Sequence, residues 1–314
     1  MKLLLFIIVV LTNILIGCSM NNQSTNQTTE TPIDTISMGV RCSGRDTTLF
    51  SFVKKLAPLE IVEASGIVTS HTMPGYFWIH DDGGRGVLHL LNSDGVAIAS
   101  VRLQSEYGFT DIEDIALNVD PITNKSSIFV ADNGDNNSVR DIKTISVFEE
   151  PTAIQLQQSS SIVLQPTLSI RFRYPDGKRD AETIMVDPQN NDVYIVSKRE
   201  ASVGVYQAKA PFVNSEVRML KKLGNIPYRL ITAGDISSKG DQIILRDYEK
   251  AYHWNRLTNE TIATALSKDA RCISIVAEEQ GEGICFSQDG ESFFTVSERS
   301  KSPQEFIYHY SKKK

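Results

Sequence analysis

The chain has 314 residues, 41% hydrophobic and 22% charged, with 11 prolines and 19 glycines. That excludes a disordered chain and leaves material for one large core or two ordinary domains. A formal net charge of −6 excludes a duplex nucleic-acid binder, which needs a dense basic footprint. Four cysteines make neither a disulfide scaffold nor a paired CxxC zinc frame.

The first element opens Met1-Lys2 and continues as an apolar run over residues 3–17, interrupted only by Thr12 and Asn13. Fifteen helical residues rise about 22 Å, short of the roughly 30 Å hydrocarbon slab, so residues 1–17 read as a secretory signal. The run ends Leu15-Ile16-Gly17-Cys18, which resembles the lipobox of bacterial lipoproteins. That resemblance implies cleavage before Cys18, acylation of Cys18 and a place in the bacterial cell envelope, with the membrane as partner through the lipid. Ser19 resembles the pattern that permits onward transport to the outer membrane of a Gram-negative cell. Residues 19–35 are dominated by Ser, Asn, Gln and Thr. They offer too little apolar surface to offset their ordering entropy, so residues 18–44 read as a lipidated cysteine with a flexible tether.

Residues 45–314 lack a long 3.6-period apolar stripe. Short apolar runs separated by turn clusters predict an all-β domain. Five stretches share one shape, in which a small or acidic residue enters a short strand, a turn follows, and a second strand ends in polar residues. They begin at Glu63, Asp111, Asp180, Ala233 and Gly281, and their second strands start near Tyr76, Ile128, Val193, Ile243 and Phe293. Taking Ser65, Glu113, Glu182, Asp235 and Glu282 as equivalent gives intervals of 48, 69, 53 and 47 residues, the size of a four-stranded propeller blade. Fourth strands are expected over 96–101, 168–174, 217–220 and 261–266. The fifth unit ends before its fourth strand, and residues 47–53 can supply it by closing the ring, which removes the exposed edges. The expectation is a β-propeller of five blades; the 69-residue interval leaves six open.

The series Ser65-Gly66-Ile67, His80-Asp81-Asp82, Asp111-Ile112-Glu113-Asp114-Ile115-Ala116 and Asp132-Asn133-Gly134-Asp135-Asn136 resembles an uncharacterised bacterial propeller family of WD40-like or NHL-like type. The likeness continues through Asp180-Ala181-Glu182, Lys198, Gly234-Asp235-Ile236, Leu245-Arg246, Gly281-Glu282 and Ser297-Glu298, and departs at Ile112, where the family commonly has Trp. It implies the fold and a site layout without an activity. A more distant similarity to calcium-dependent phytase-like propellers implies phosphate-ester chemistry.

In a propeller the innermost strands line a central channel, so residues entering them meet those leaving the second strands at one mouth. The expected ligand-binding rim is Asp81, Asp82, Glu113, Asp132, Asp135, Glu182, Lys198, Asp235, Arg246, Glu282 and Glu298. Clustered carboxylates suit Ca²⁺, for which Glu113, Asp114, Asp132, Glu182, Asp235 and Glu282 are the candidate ligands. The structural alternative has these carboxylates paired with Lys198, Arg246 and Arg299 or capping backbone amides. No G-x-S-x-G, H-E-x-x-H, G-x-G-x-x-G or P-loop pattern occurs. In a hydrolase, the catalytic candidates are His80, Glu113, Lys198 and Arg246. The leading expectation is therefore a membrane-anchored propeller that binds a ligand or envelope partner at an acidic mouth, with Ca²⁺ as a candidate cofactor. The alternative is a calcium-dependent hydrolase of phosphate esters. Trp78, Phe77, Tyr194, Phe293 and Phe294 are expected between blades, and a bridge between Cys42 and Cys272 is one open pairing.

Overall fold

The computed structural model describes residues 35–314 apart from 38, 40, 43, 83, 159–161 and 300–303. The expected signal segment and Cys18 lie outside the described residues. Short strands broken by Gly, Asn and Asp turns form five sheets, the blades of a propeller. Strand β1 (Phe50–Pro58) precedes blade 1, which is β2 (Ala64–Thr69), β3 (Phe77–Asp81), β4 (Val87–Leu91) and β5 (Ala97–Leu103). Blade 2 runs β6 (Ile112–Val119), β7 (Ser126–Asp132) and β8 (Lys143–Glu149), then, past helix α1 (Ala153–Gln158) and β9 (Ile162–Leu164), β10 (Leu168–Arg173). Blade 3 is β11 (Ala181–Val186), β12 (Val193–Ser197) and β13 (Gly204–Ala208), with β14 (Val217–Met219) ahead of its fourth strand β15 (Lys221–Asn225). Blade 4 is β16 (Ala233–Ile236), β17 (Gln242–Arg246), β18 (Lys250–Asn255) and, after helix α2 (Ile262–Leu266), β19 (Arg271–Ser274). Blade 5 is β20 (Gln280–Phe286), β21 (Ser292–Glu298) and β22 (Phe306–Lys312).

Ring closure follows the sequence expectation. β1 pairs antiparallel with β22, Phe52 opposite Tyr310, and completes blade 5. The 69-residue interval holds α1 and β9 rather than a sixth blade. β9 adds in parallel to β5 at the outer edge of blade 1, and β14 adds in parallel to β10 at that of blade 2. Each short strand covers an edge of a neighbouring blade.

Two expected fourth strands are corrected. Residues 217–219 form β14 and join blade 2, while blade 3 is completed by β15. Residues 262–266 are helical: Thr261 caps α2, its hydroxyl accepting from the Thr264 amide at 3.1 Å. A short apolar run reads equally as strand or helix until a cap decides it.

The core is divided among five apolar clusters, one between each pair of neighbouring blades. Trp78 and Phe293, both 0% exposed, stand in these interfaces as expected for second-strand aromatics. Trp78 also donates its indole N–H to Glu150, 3.1 Å away. Glu150 further accepts from the hydroxyls of Ser70 and Ser126, so this buried carboxylate ties blades 1 and 2 together. The segment before β1 crosses the outer faces of two blades. Ile36 donates to the Leu223 carbonyl in blade 3 at 2.6 Å, and Cys42 is disulfide-bonded to Cys272 in blade 4. Asp46 then pairs with Arg271 at 2.5 Å. Among the described residues no helix is long and apolar enough to cross a membrane.

Candidate functional site

One irregularity recurs at the start of the innermost strands. In β6, Ile112 faces Asp132 and Asp114 faces Ala131, which leaves Glu113 as the extra residue of a bulge. β11 does the same around Glu182, and β20 around Glu282. In β2 the register breaks between Ala64 and Ile67, across Ser65 and Gly66. A bulge re-aims one side chain out of the ladder's alternation. Here it turns Glu113, Glu182, Glu282 and Ser65 into the channel mouth, where they line a cavity of about 220 Å³ with Asp82, Lys198 and others.

β16 has no such break. Ala233, Gly234, Asp235 and Ile236 face Arg246, Leu245, Ile244 and Ile243 in unbroken register. Asp235 therefore lies farther along its strand and opens at the opposite end of the channel. The sequence equivalence of Asp235 with Glu113 and Glu182 does not hold: in register, Ala233 takes the place of Thr183, so Asp235 stands three positions beyond the Glu182 level.

Several other expected rim residues are engaged inside the protein. The Arg246 side chain is 0% exposed, paired with Glu278 at 2.9 Å and donating to the Gly283 carbonyl. His80 is buried, with Nε2 accepting from the Gly66 amide at 2.9 Å. Burial holds its imidazole down to about 4, so it stays neutral. Asp81 pairs with Arg85. Asp132 accepts from the amides of Thr110 and Asp111 and pairs with Arg140. Asp135 pairs with Lys143 at 2.6 Å. Asp114 accepts from the amides of Ile115 and, in the next blade, Ile184. For these residues the structural alternative describes what is seen. Asp82, Glu113, Glu182, Lys198, Glu282 and Glu298 do converge on the mouth, joined by Asn136, Arg199, Tyr248 and Gln280.

Crowding of carboxylates sets the electrostatics. Burial first, then the charges of Glu182, Asp82 and Asp111, push the Glu113 carboxyl far above the usual carboxylate range. Burial also raises Glu182, with Lys198 pulling the other way. Asp82 is pushed up to about 7 by burial and by its acidic neighbours, Asp111 first. Burial alone would lower the Lys198 ammonium, but Glu182, Glu282 and Tyr248 outweigh it and raise it.

Two carboxylate triads share Glu113. In each, one oxygen per residue lies within 4.8 Å of the others. Glu113, Asp180 and Glu182 already face cations: Lys198 is ion-paired with Glu182, and Arg199 with Asp180 at 2.5 Å. Asp82, Asp111 and Glu113 have no Lys or Arg ion pair among the described residues, and Oδ1 of Asp82 is buried without a hydrogen-bond partner. Gly134 caps this second triad. A Cβ there would stand 2.3 Å from Glu113 Oε1 and 2.5 Å from Asp111 Oδ2, so only glycine leaves the space beside them clear. Asp111 stood in a sequence motif but was not among the expected ligands, because nothing in the spacing shows that it folds back beside Glu113.

No protein-family model and no curated protein matches the chain. Among solved structures the chain is similar to one described as "Structure of Dos1 propeller". The identity is 10%, the match covers 79% of this chain and 68% of that chain, and the TM-score is 0.38.

Proposed function

We propose that this chain is an envelope-anchored β-propeller that binds a hard divalent cation, Ca²⁺, at its channel mouth through Asp82, Asp111 and Glu113. The observation that carries the reading is the contrast between the two triads: one is ion-paired with Lys198 and Arg199, the other has no Lys or Arg ion pair among the described residues. Oxygens within 4.8 Å of one another suit a common ion at the 2.3–2.6 Å typical of calcium. The cavity of about 220 Å³ is smaller than the roughly 300 Å³ at which pockets for drug-sized ligands begin, and fits an ion with its waters. The motif series and the phytase-like resemblance support a cation there as well. Hydrolysis of phosphate esters finds less support, since Lys198 and Arg199 are already engaged and the other charged side chains lining the cavity are acidic.

Thermal melts in EDTA and in about 1 mM Ca²⁺ test this. A site with a Kd near 10 µM would stabilise the fold by roughly 2.7 kcal/mol at that concentration. The gain should vanish in Asp82→Asn/Glu113→Gln; a calcium shift that survives in that variant refutes the site. The anchoring part of the reading rests on the leading apolar run, which ends Leu15-Ile16-Gly17-Cys18. Metabolic labelling with an alkyne fatty acid should tag the wild type and not Cys18→Ala; equal labelling of both, or of neither, refutes it.

A further inference from the structure

The other end of the channel has a different chemistry. There the C-terminal ends of all five innermost strands surround a bowl of about 400 Å³, walled by Val68, Leu117, Val186, Ile236 and Phe286. Two ionisable side chains line it among these apolar and several polar residues, His71 and Asp235, and Asp235 is its one carboxylate. Its Oδ2 accepts from the Phe286 amide at 2.8 Å, and among the described residues no ion pair engages it. Asp114 is its counterpart within the fold, since it too crosses to the innermost strand of the next blade, accepting from the Ile184 amide. Asp114 is 2% exposed and serves only the backbone. Asp235 opens on the bowl, so its carboxylate has a face left for a ligand.

We propose that this bowl binds a small organic amine, the ammonium on Asp235 and an apolar body against Val68, Leu117, Val186, Ile236 and Phe286. A desolvated carboxylate favours a cation, and an anionic ligand is repelled. A bare metal ion is poorly served, because one carboxylate cannot supply the six to eight oxygens calcium takes. An alkyl or aryl ammonium satisfies both parts of the site, placing its charge on the carboxylate and removing its hydrocarbon from water. The burial that pushes the Asp235 carboxyl up to about 7 is relieved by the same contact. The two ends of the channel thus differ in what they select: clustered carboxylates for a hard ion, and one carboxylate beside apolar strand ends for an amine.

The probe is 2-phenylethylamine, with 2-phenylethanol as the neutral comparator, titrated into the full-length protein and read by saturation-transfer NMR and calorimetry. The amine should bind saturably below about 10 mM, the range open to a ligand with so few atoms. It should bind about tenfold or more tightly than the alcohol, the worth of one charge-assisted hydrogen bond. Asp235→Asn should erase that preference, and Asp82→Asn/Glu113→Gln should leave it intact, which separates this bowl from the acidic mouth. Val119→Trp fills the bowl from its rim without altering Asp235 and should abolish binding of both probes, so the proposal stays testable if Asp235→Asn fails to fold. Equal affinity for amine and alcohol, no saturable binding, or loss of binding only in Asp82→Asn/Glu113→Gln overturns the proposal.

Discussion

Replacing Glu113 by Gln should make the protein more stable in alkaline, calcium-free buffer and give no advantage in acid. The residue is 7% exposed, and burial with the charges of Glu182, Asp82 and Asp111 raises its carboxyl well above the ordinary value of 4.5. A carboxyl raised in the native state holds its proton more tightly folded than unfolded. Its contribution is therefore favourable below the unfolded value, and stability falls as pH rises above 4.5. At about 1.36 kcal/mol per pH unit, the rise from pH 5 to pH 8 costs at most about 4 kcal/mol. Lys198 and water at the mouth reduce this, so the neutral amide should recover roughly 1–3 kcal/mol. For a domain of this size that is a rise in melting temperature of roughly 2–5 °C at pH 8. Calorimetric melts of wild type and Glu113→Gln in EDTA, at pH 4.5 and at pH 8, measure the difference directly. A gap between the two proteins that is the same at both pH values would refute the assignment of charge crowding to this site.

The Arg246–Glu278 pair gives a second test of structural against functional charge. With both side chains 0% exposed, Arg246→Met alone strands a buried carboxylate and should destabilise the fold by roughly 3–5 kcal/mol, whereas adding Glu278→Leu should restore most of it. Denaturant unfolding of the two single variants and the double one reads this, and additive losses would show that the pair does not act as a unit.

The blades were legible in the sequence because each strand is a short apolar run and each turn has its own chemistry, as at Pro74-Gly75 and Asp289-Gly290. The strand that closes the ring was legible for a related reason: the fifth unit visibly lacked one, and residues near Phe50 supplied the pattern. The mouth was half legible. Glu113, Glu182 and Glu282 reach it through bulges, and a bulge is a single unpaired residue that leaves no mark in composition or periodicity. Asp235 looked equivalent on spacing and is not, because β16 pairs without that extra residue. Asp132, Asp135 and Arg246 sat in the expected motifs, yet their partners Arg140, Lys143 and Glu278 decide their roles. Two of those partners lie within ten residues; the third is in the next loop of the ring, and residue type alone did not pair them. The exchange of β9 and β14 onto neighbouring blades was invisible for a similar reason, since three-residue strands carry too little pattern to show which edge they join.

The course of the chain before β1 also sets how the molecule responds to tension. A pull on the amino-terminal end travels through Ile36 and reaches the covalent link between Cys42 and Cys272 before it reaches Phe50. The load therefore passes into blade 4, and the β1–β22 ladder that seals the ring carries none of it. Once that link is reduced, the same pull falls on the seam itself and can peel β1 away from one end. The oxidised protein is therefore a ring that can be tugged by its leading segment without being unzipped.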